Sequence, residues 1–280
     1  DVPGDPSSAA FFIVAALLIW KDDASIQAVA IRGMSKSGKF CAFCAGGDIR
    51  FFHQAAIAGN PQLEDFFTEE YALNHLIHTY PKPYIAFMDG IVMGGGMGIS
   101  QGASQRIVTE RTKMAMPETG IGLFPDVGGG YFLSRCPGHT GEYLALTGQM
   151  MGGAQAVAVG LADALVNTED LPALWQALGD ANAVSAEWLT EFIATKNIAA
   201  RARIAWPQEQ IDSYFSKPTV AHIVHALEAA TDDWAKDTAT TLRNRSPLML
   251  HVVLEQVRRA RSMGLADDLR MERDLVRHCF

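Results

Sequence analysis

The first half of the chain alternates apolar strand patterns with helical ones. An unbroken apolar run over residues 9–20 predicts a helix that is buried on most of its sides. Residues 26–34 and 84–89 are rich in β-branched and aromatic side chains, which predicts two strands. Apolar positions at helical spacing over residues 63–80, followed by Pro81, predict a helix that ends there. Because strand, turn and helix recur in this order, we predict an α/β fold.

The last third of the chain has a different pattern, in which helical periodicity dominates and glycine becomes rare. Four helices are predicted there, over residues 208–215, 220–229, 232–242 and 247–263. The last of them has Ser246 as its N-cap, Pro247 at its first position and Gly264 as its end. We therefore predict an α/β core over residues 1–195 and an appended helical region over residues 196–280.

Two glycine clusters stand directly before predicted helices, Gly46-Gly47 and Gly94-Gly95-Gly96. Their main-chain amides carry no side chain and lie at the positive end of a helix. Two such amides that point at one carbonyl oxygen form an oxyanion hole, worth roughly 3 to 4 kcal/mol per donor. Close packing of helix against strand explains either cluster equally well. A phosphate site is disfavoured, because neither the P-loop nor the dinucleotide spacing of glycines is present.

Two acids, Glu118 and Asp126, lie in one loop between a short apolar strand and a further glycine run. Gly120, Gly122 and Pro125 separate them, which predicts a shaped turn that can aim both carboxylates at one point. The neighbouring residues are apolar, so burial is expected to raise the pKa of both carboxyls toward neutrality. The alternative is a solvated glutamate and a helix-capping aspartate.

Composition excludes several classes of function. The 280 residues are 49% apolar and 19% charged, as expected of a globular protein, and the net charge of -8 argues against a nucleic-acid partner. The apolar run over residues 9–20 is shorter than the roughly 20 residues of a membrane span, and no targeting segment is expected. Eight scattered histidines and four cysteines show no spacing of metal ligands, so reduced thiols in an intracellular protein are predicted.

Several segments resemble the crotonase (enoyl-CoA hydratase/isomerase) superfamily, and within it most resemble the 3-hydroxyisobutyryl-CoA hydrolases. The segments are FCAGGDI (43–49), EEY (69–71), PKPYIA (81–86), GIVMGGG (90–96) and MPETGIGLFPDVGGG (116–130). The similarity is specific from about residue 20 to 170 and looser through the helical end. Members usually begin with an additional strand and continue past the last helices. We therefore expect either a trimmed chain or weaker binding of the CoA portion.

The resemblance implies a spiral of ββα units and an acyl-CoA substrate. No separate cofactor is implied, since coenzyme A is part of the substrate. An oxyanion hole formed by the amides of Gly47 and Gly95 is implied, with Glu118 as the main catalytic carboxylate, Asp126 as its partner and Glu70 in the acyl pocket. Substrate contacts are therefore expected at Glu70, Gly95, Glu118 and Asp126. Homo-oligomers are common in the superfamily, and the expected location is the mitochondrial matrix in a eukaryote or the cytoplasm in a bacterium.

The predicted reaction depends on two departures from the hydratase pattern. Hydratases of the superfamily resemble one another in a glutamate two residues after the triple glycine, where this chain has Gly98, and in a glycine where it has Asp126. We therefore expect hydrolysis of a short β-hydroxyacyl-CoA, above all 3-hydroxyisobutyryl-CoA of valine catabolism. Glu118 is expected to act there as nucleophile or as general base, Asp126 to orient the β-hydroxyl or to handle the proton, and Glu70 to help fix that hydroxyl. The alternatives are an enoyl-CoA isomerase or hydratase, and an inactive acyl-CoA-binding paralogue.

Overall fold

The computed structural model describes residues 6–181, 184–199 and 206–280. Within these ranges the strands form two sheets. The strands are β1 (Val29–Arg32), β2 (Tyr84–Met88), β3 (Ile91–Met93), β4 (Gln105–Thr109), β5 (Lys113–Ala115), β6 (Met151–Gly152) and β7 (Ala164–Val166). The first sheet has the order β1-β2-β4-β7 and is parallel throughout. In the second sheet β5 pairs with β3 in parallel and with β6 antiparallel.

Strand β2 lies at the centre of the first sheet, and all five of its residues are buried. Its continuous apolar sequence fits that position, because strands of a parallel sheet are covered on both faces and need no polar side. In the parallel register Tyr84 lies opposite Val29, and Ile85 lies opposite Gln105. The α/β prediction is confirmed.

Helices cover the sheets and make up the C-terminal part of the described chain. They are α1 (Pro6–Trp20), α2 (Ile49–Ala58), α3 (Gln62–His78), α4 (Gly95–Gln101), α5 (Gly129–Leu133), α6 (Thr140–Thr147), α7 (Gly153–Ala158), α8 (Leu171–Asp180), α9 (Ala186–Ala194), α10 (Gln208–Phe215), α11 (Val220–Glu228), α12 (Asp233–Arg243), α13 (Pro247–Ala260) and α14 (Leu265–Val276). A 3-10 turn (Glu118–Gly120) follows β5.

Helix α1 is less buried than its apolar sequence predicts. Leu17 packs into the core at 1% exposure beside Leu73 of α3, but Ile19 is 69% exposed and Phe12 is 53% exposed. The prediction of burial on most sides is therefore wrong for the described side chains. The helix has no polar side to mark its solvent face, so hydrophobicity alone could not show which residues would be covered.

The end of the chain holds a helix that the sequence pattern did not predict. Helix α13 begins with Ser246 as N-cap, as predicted, but it ends at Ala260, and Gly264 is the N-cap of α14. Gly264 has an extended conformation (φ -77°, ψ 162°), not the left-handed one that closes a helix. Helix α14 packs against α3 and α5. One apolar cluster includes Phe124, before the predicted domain boundary near residue 195, and Leu269, after it. The boundary itself stays a prediction.

Candidate active site

Strand β3 brings the two glycine clusters to the same place. The main chain at Cys44 runs parallel to β3, with the Cys44 amide donating to the Ile91 carbonyl at 3.0 Å and the Met93 amide donating to the Cys44 carbonyl at 3.0 Å. Gly46-Gly47 follows this pairing on one strand, and Gly94-Gly95-Gly96 follows it on the other. Gly46-Gly47 leads into α2, which has Asp48 as N-cap, and the second cluster leads into α4. Two helix starts therefore lie next to each other.

The amides of Gly47 and Gly95 face the same region. A Cβ atom built on Gly46 would lie 3.2 Å from the Gly95 nitrogen, and one built on Gly95 would lie 3.7 Å from the Gly47 nitrogen. Gly46 and Gly94 both have positive φ, 93° and 50°, a conformation that glycine adopts without strain. In the described part of the chain, neither the Gly47 nor the Gly95 amide donates to another protein group. Both can therefore bind a ligand oxygen.

Glu118 lies beside the second glycine cluster. It opens the 3-10 turn after β5 and is 6% exposed. Its Oε1 atom is 3.0 Å from a Cβ built on Gly94, and its Oε2 atom is buried without a hydrogen-bond partner among the described residues. Burial raises the pKa of Glu118 well above its usual value, and the charge of Asp126 raises it further. A carboxylate in this state is a stronger base than one in water.

Asp126 lies in the same buried space and accepts a hydrogen bond from the hydroxyl of Tyr71 at 2.9 Å. Burial raises the pKa of Asp126 to about 6, and the hydrogen bond from Tyr71 offsets part of that increase. Tyr71 was not predicted as a site residue, although it lies in the segment that carries Glu70. Tyr71 lies at a position of α3 that the helical pattern assigns to the core, so the sequence did not indicate a role for its hydroxyl group.

Glu70 reaches the site from α3. Its side chain is half-buried, and its Oε1 atom is 2.8 Å from a Cβ built on Gly95. Burial raises the pKa of Glu70 well above its usual value, and the charge of Asp126 adds to the effect. Among the described residues, neither Glu70, Glu118 nor Asp126 forms an ion pair with a basic side chain. The charges of the three acids therefore act on one another in a site without a compensating base.

The space next to Gly98 is filled. A Cβ atom built on Gly98 would lie 2.7 Å from the Cβ of Val127 and 2.9 Å from Nδ2 of Asn74. Val127 has a φ of 55°, which turns its side chain toward this point from the loop that carries Asp126. The structure therefore has no room for a longer side chain at residue 98, where the hydratase pattern has its additional acid.

The structure thus brings together the five residues singled out from the sequence: Glu70, Glu118, Asp126, Gly47 and Gly95. Their catalytic roles stay predictions. No group of histidine, cysteine or acidic residues within the described ranges is arranged to bind a metal ion. All four cysteines are free thiols. No helix in the described part of the chain is long and apolar enough to cross a bilayer.

This α/β fold, with two free amides beside buried carboxylates, defines an enzyme site that can stabilise an oxyanion and move protons next to it. Residues 10–280 match the family model described as enoyl-CoA hydratase/isomerase, and the chain belongs to this family. The resemblance to the superfamily drawn from the motifs is confirmed.

Individual relatives agree with that assignment. The chain is 42% identical to the mitochondrial 3-hydroxyisobutyryl-CoA hydrolase of Xenopus tropicalis, over 93% of this chain and 68% of that protein. It is 38% identical to the small ribosomal subunit protein mS47 of Neurospora crassa, over 93% of this chain and 55% of that protein. The crystal structure of a carnitinyl-CoA dehydratase from Mycobacterium thermoresistibile matches with a TM-score of 0.85 and 39% identity, over 95% of this chain and 76% of that one. The predicted crotonase-like fold, the relationship to the hydrolases and the prediction of an enzyme are confirmed.

Proposed function

We propose that this protein hydrolyses the thioester of a short β-hydroxyacyl-CoA, above all 3-hydroxyisobutyryl-CoA, to the free acid and CoA. The observation that carries the proposal is the placement of the acids. Glu118 is buried beside the second glycine cluster, and buried Asp126 is close enough for its charge to raise the pKa of Glu118, while the position of the second hydratase acid, Gly98, is blocked by Val127. The names of several relatives 37 to 42% identical to this chain support the same substrate.

In the proposed reaction the thioester carbonyl oxygen accepts hydrogen bonds from the Gly47 and Gly95 amides. Negative charge that develops on this oxygen is stabilised there, away from bulk water. Glu118 has two routes from this point. Its carboxylate attacks the carbonyl carbon and expels CoA thiolate, which leaves a mixed anhydride that water then hydrolyses. Alternatively, it takes a proton from a water molecule, whose oxygen attacks the carbonyl carbon; the tetrahedral intermediate then collapses to the free acid and CoA thiolate, which takes up the proton from Glu118.

The remaining acids are proposed to select the β-hydroxyl. Oδ2 of Asp126 accepts from the Tyr71 hydroxyl, and we assign to the same carboxyl group the hydrogen bond from the substrate hydroxyl. Burial raises the pKa of Glu70, and in its protonated form Glu70 can donate a hydrogen bond to the same hydroxyl oxygen. A site built to pair a hydroxyl discriminates strongly against analogues that lack it, since its buried polar groups then stay unpaired.

The test is a thiol-release assay with 3-hydroxyisobutyryl-CoA and, as the analogue without a hydroxyl, isobutyryl-CoA. Wild type is expected to release CoA from the hydroxylated thioester and to prefer it over the analogue. Glu118→Gln is expected to lower kcat by ~100-fold or more. Glu69→Gln, the same change on the exposed neighbour of Glu70 in α3, serves as the matched control and should retain activity. A single turnover in heavy-oxygen water separates the two routes, because the label enters Glu118 only through the anhydride.

A second candidate is a dehydratase or isomerase, favoured by the similarity to the structure named a carnitinyl-CoA dehydratase. Its signature is a change in the position or hydration of a double bond without release of thiol. The similarity to mS47 raises a non-catalytic binding protein as the third outcome. Wild type would then turn over neither thioester, and Glu118→Gln would bind them as tightly as wild type. We also propose the mitochondrial matrix as its location if the chain is eukaryotic, as in the names of the hydrolase relatives.

A further inference from the structure

A fully buried glutamate on the last helix holds the loop that carries Asp126. Glu272 of α14 accepts hydrogen bonds from the amides of Gly128 at 2.7 Å and Gly130 at 3.0 Å. One carboxylate thus spans both ends of a three-residue segment that begins two positions after Asp126. The contact joins residues that are more than 140 positions apart in the chain.

Two further buried side chains extend this attachment. Asp268, one turn before Glu272, accepts from the amide of Tyr131 at 2.8 Å. Gln256 of α13 donates to the Pro125 carbonyl at 2.6 Å and to Glu272 at 3.1 Å. Both side chains are at most 1% exposed. The loop main chain is therefore tied to α13 and α14 on both sides of Asp126.

The conformation of the held segment needs such support. Val127 has φ 55° and Gly128 has φ 84°, so two consecutive residues are in the left-handed region. A β-branched residue such as valine rarely adopts this conformation and keeps it only where the surroundings impose it. The turn places the Asp126 carboxyl next to Tyr71 and closes with a 2.7 Å hydrogen bond from the Gly129 amide to the Asp126 carbonyl. A relaxed Val127 would change the direction of the preceding side chain.

The acids of this attachment are costly to bury, because neither Asp268 nor Glu272 forms an ion pair with a basic side chain among the described residues. Burial raises the pKa of both acids, and the charges of Asp268 and then Asp126 raise that of Glu272 further, while Glu272, the Tyr131 amide and the charge of Arg135 partly offset the increase at Asp268. An apolar contact between α14 and the loop would bury the same surface without this cost, but it could not bind the loop amides.

We propose that Glu272, supported by Gln256 and Asp268, is a positioning residue for the reaction, which holds the loop over residues 125–131 so that Asp126 can bind the β-hydroxyl of the substrate. The inference rests on the proposed function in its kinetic part. Its structural part, the fixing of the loop, can be measured without any substrate.

The test compares Glu272→Gln with Glu142→Gln. Glu142 of α6 is also fully buried, but it is paired with Arg261 at 2.8 Å and forms no hydrogen bond with the loop among the described residues. Hydrogen exchange of the peptide over residues 125–131 is expected to be ~10-fold faster or more in Glu272→Gln and unchanged in Glu142→Gln. If Glu272→Gln does not fold, Gln256→Met is the second variant, with a smaller increase expected in the same peptide.

The kinetic readout is the ratio of kcat/KM for 3-hydroxyisobutyryl-CoA to that for isobutyryl-CoA. Glu272→Gln is expected to lower this ratio by ~10-fold or more, because a misplaced Asp126 no longer binds the hydroxyl. A merely destabilised enzyme loses activity on both thioesters alike, as expected for Glu142→Gln. An unchanged ratio, or loop exchange equal to wild type, overturns the proposal. If wild type releases no CoA, the proposed function is wrong. The hydrogen-exchange result then still tests whether Glu272 fixes the loop.

Discussion

Replacing Asp126 with asparagine is expected to stabilise the protein while it impairs the reaction. The carboxyl is 6% exposed, has no basic partner among the described residues, and has its pKa raised by burial to about 6 from 3.8. The folded state therefore binds a proton more tightly than the unfolded state, so wild type loses stability as the pH rises from about 4 to about 6. Asparagine keeps an oxygen that can accept from Tyr71 and carries no charge to bury.

The magnitude follows from the two pKa values. Each pKa unit corresponds to ~1.4 kcal/mol, so the difference between 3.8 and about 6 amounts to about 3 kcal/mol above pH 7. At pH 5 roughly half of this effect is present, and near pH 3 almost none remains. The advantage of Asp126→Asn over wild type is thus expected to grow with pH and to level off above about pH 7.

The assay is urea unfolding of both proteins at pH values from 4 to 8, followed by tryptophan fluorescence. Asp22→Asn serves as the matched control, since the Asp22 side chain is 82% exposed and the same substitution should change the free energy of unfolding little. A stability difference that stays flat across this pH range, or that grows as the pH falls, would refute the reasoning. It would mean that Asp126 is charged at little cost in the folded state.

Three further predictions concern the same site. Tyr71→Phe removes a hydrogen bond that favours the ionised form of Asp126. The pH at which kcat/KM falls on the acidic side should therefore rise by ~0.5 to 1 unit. No change in that pH would contradict a role of this hydrogen bond. Gly98→Glu should lower the melting temperature and give no hydration of an enoyl-CoA, because its Cβ would lie 2.7 Å from the Cβ of Val127. Gly95→Ala should lower kcat by ~100-fold, since a methyl there would lie 2.8 Å from a site carboxylate oxygen; circular dichroism checks that the variant is folded.

The sequence was most informative where the chain follows local rules. The apolar run of β2 needs no partner to be recognised as a buried strand, and Asp48 caps α2 through its own side chain, which accepts from the Arg50 amide. The pairing of Cys44 with β3, which joins the two glycine clusters, could not be predicted in this way. Strand β3 has three residues and follows a glycine turn, so its periodicity is too short to distinguish it from a loop.

The sequence pattern also did not identify the residues that hold the loop over residues 125–131. Helix α14 contains three acids in its first eight residues, and the pattern treats such acids as a solvated surface. In the structure two of them, Asp268 and Glu272, are fully buried because the loop amides over residues 128–131 need acceptors. The left-handed conformation of Val127 gives no signal in the sequence either, since valine is typical of strands.

The proposed preference for hydrolysis over hydration is linked to the conformation of one turn, the one that contains Asp126 and Val127. The hydratase pattern places its second acid on α4 at residue 98, and here that space is taken by the Val127 side chain. Val127 lies there because of its left-handed conformation, and the same turn directs the preceding carboxyl, Asp126, to Tyr71. In this chain the turn that carries Asp126 also fills the space next to Gly98. We therefore expect that an acid at residue 98 can be accommodated only if the loop over residues 125–131 changes as well.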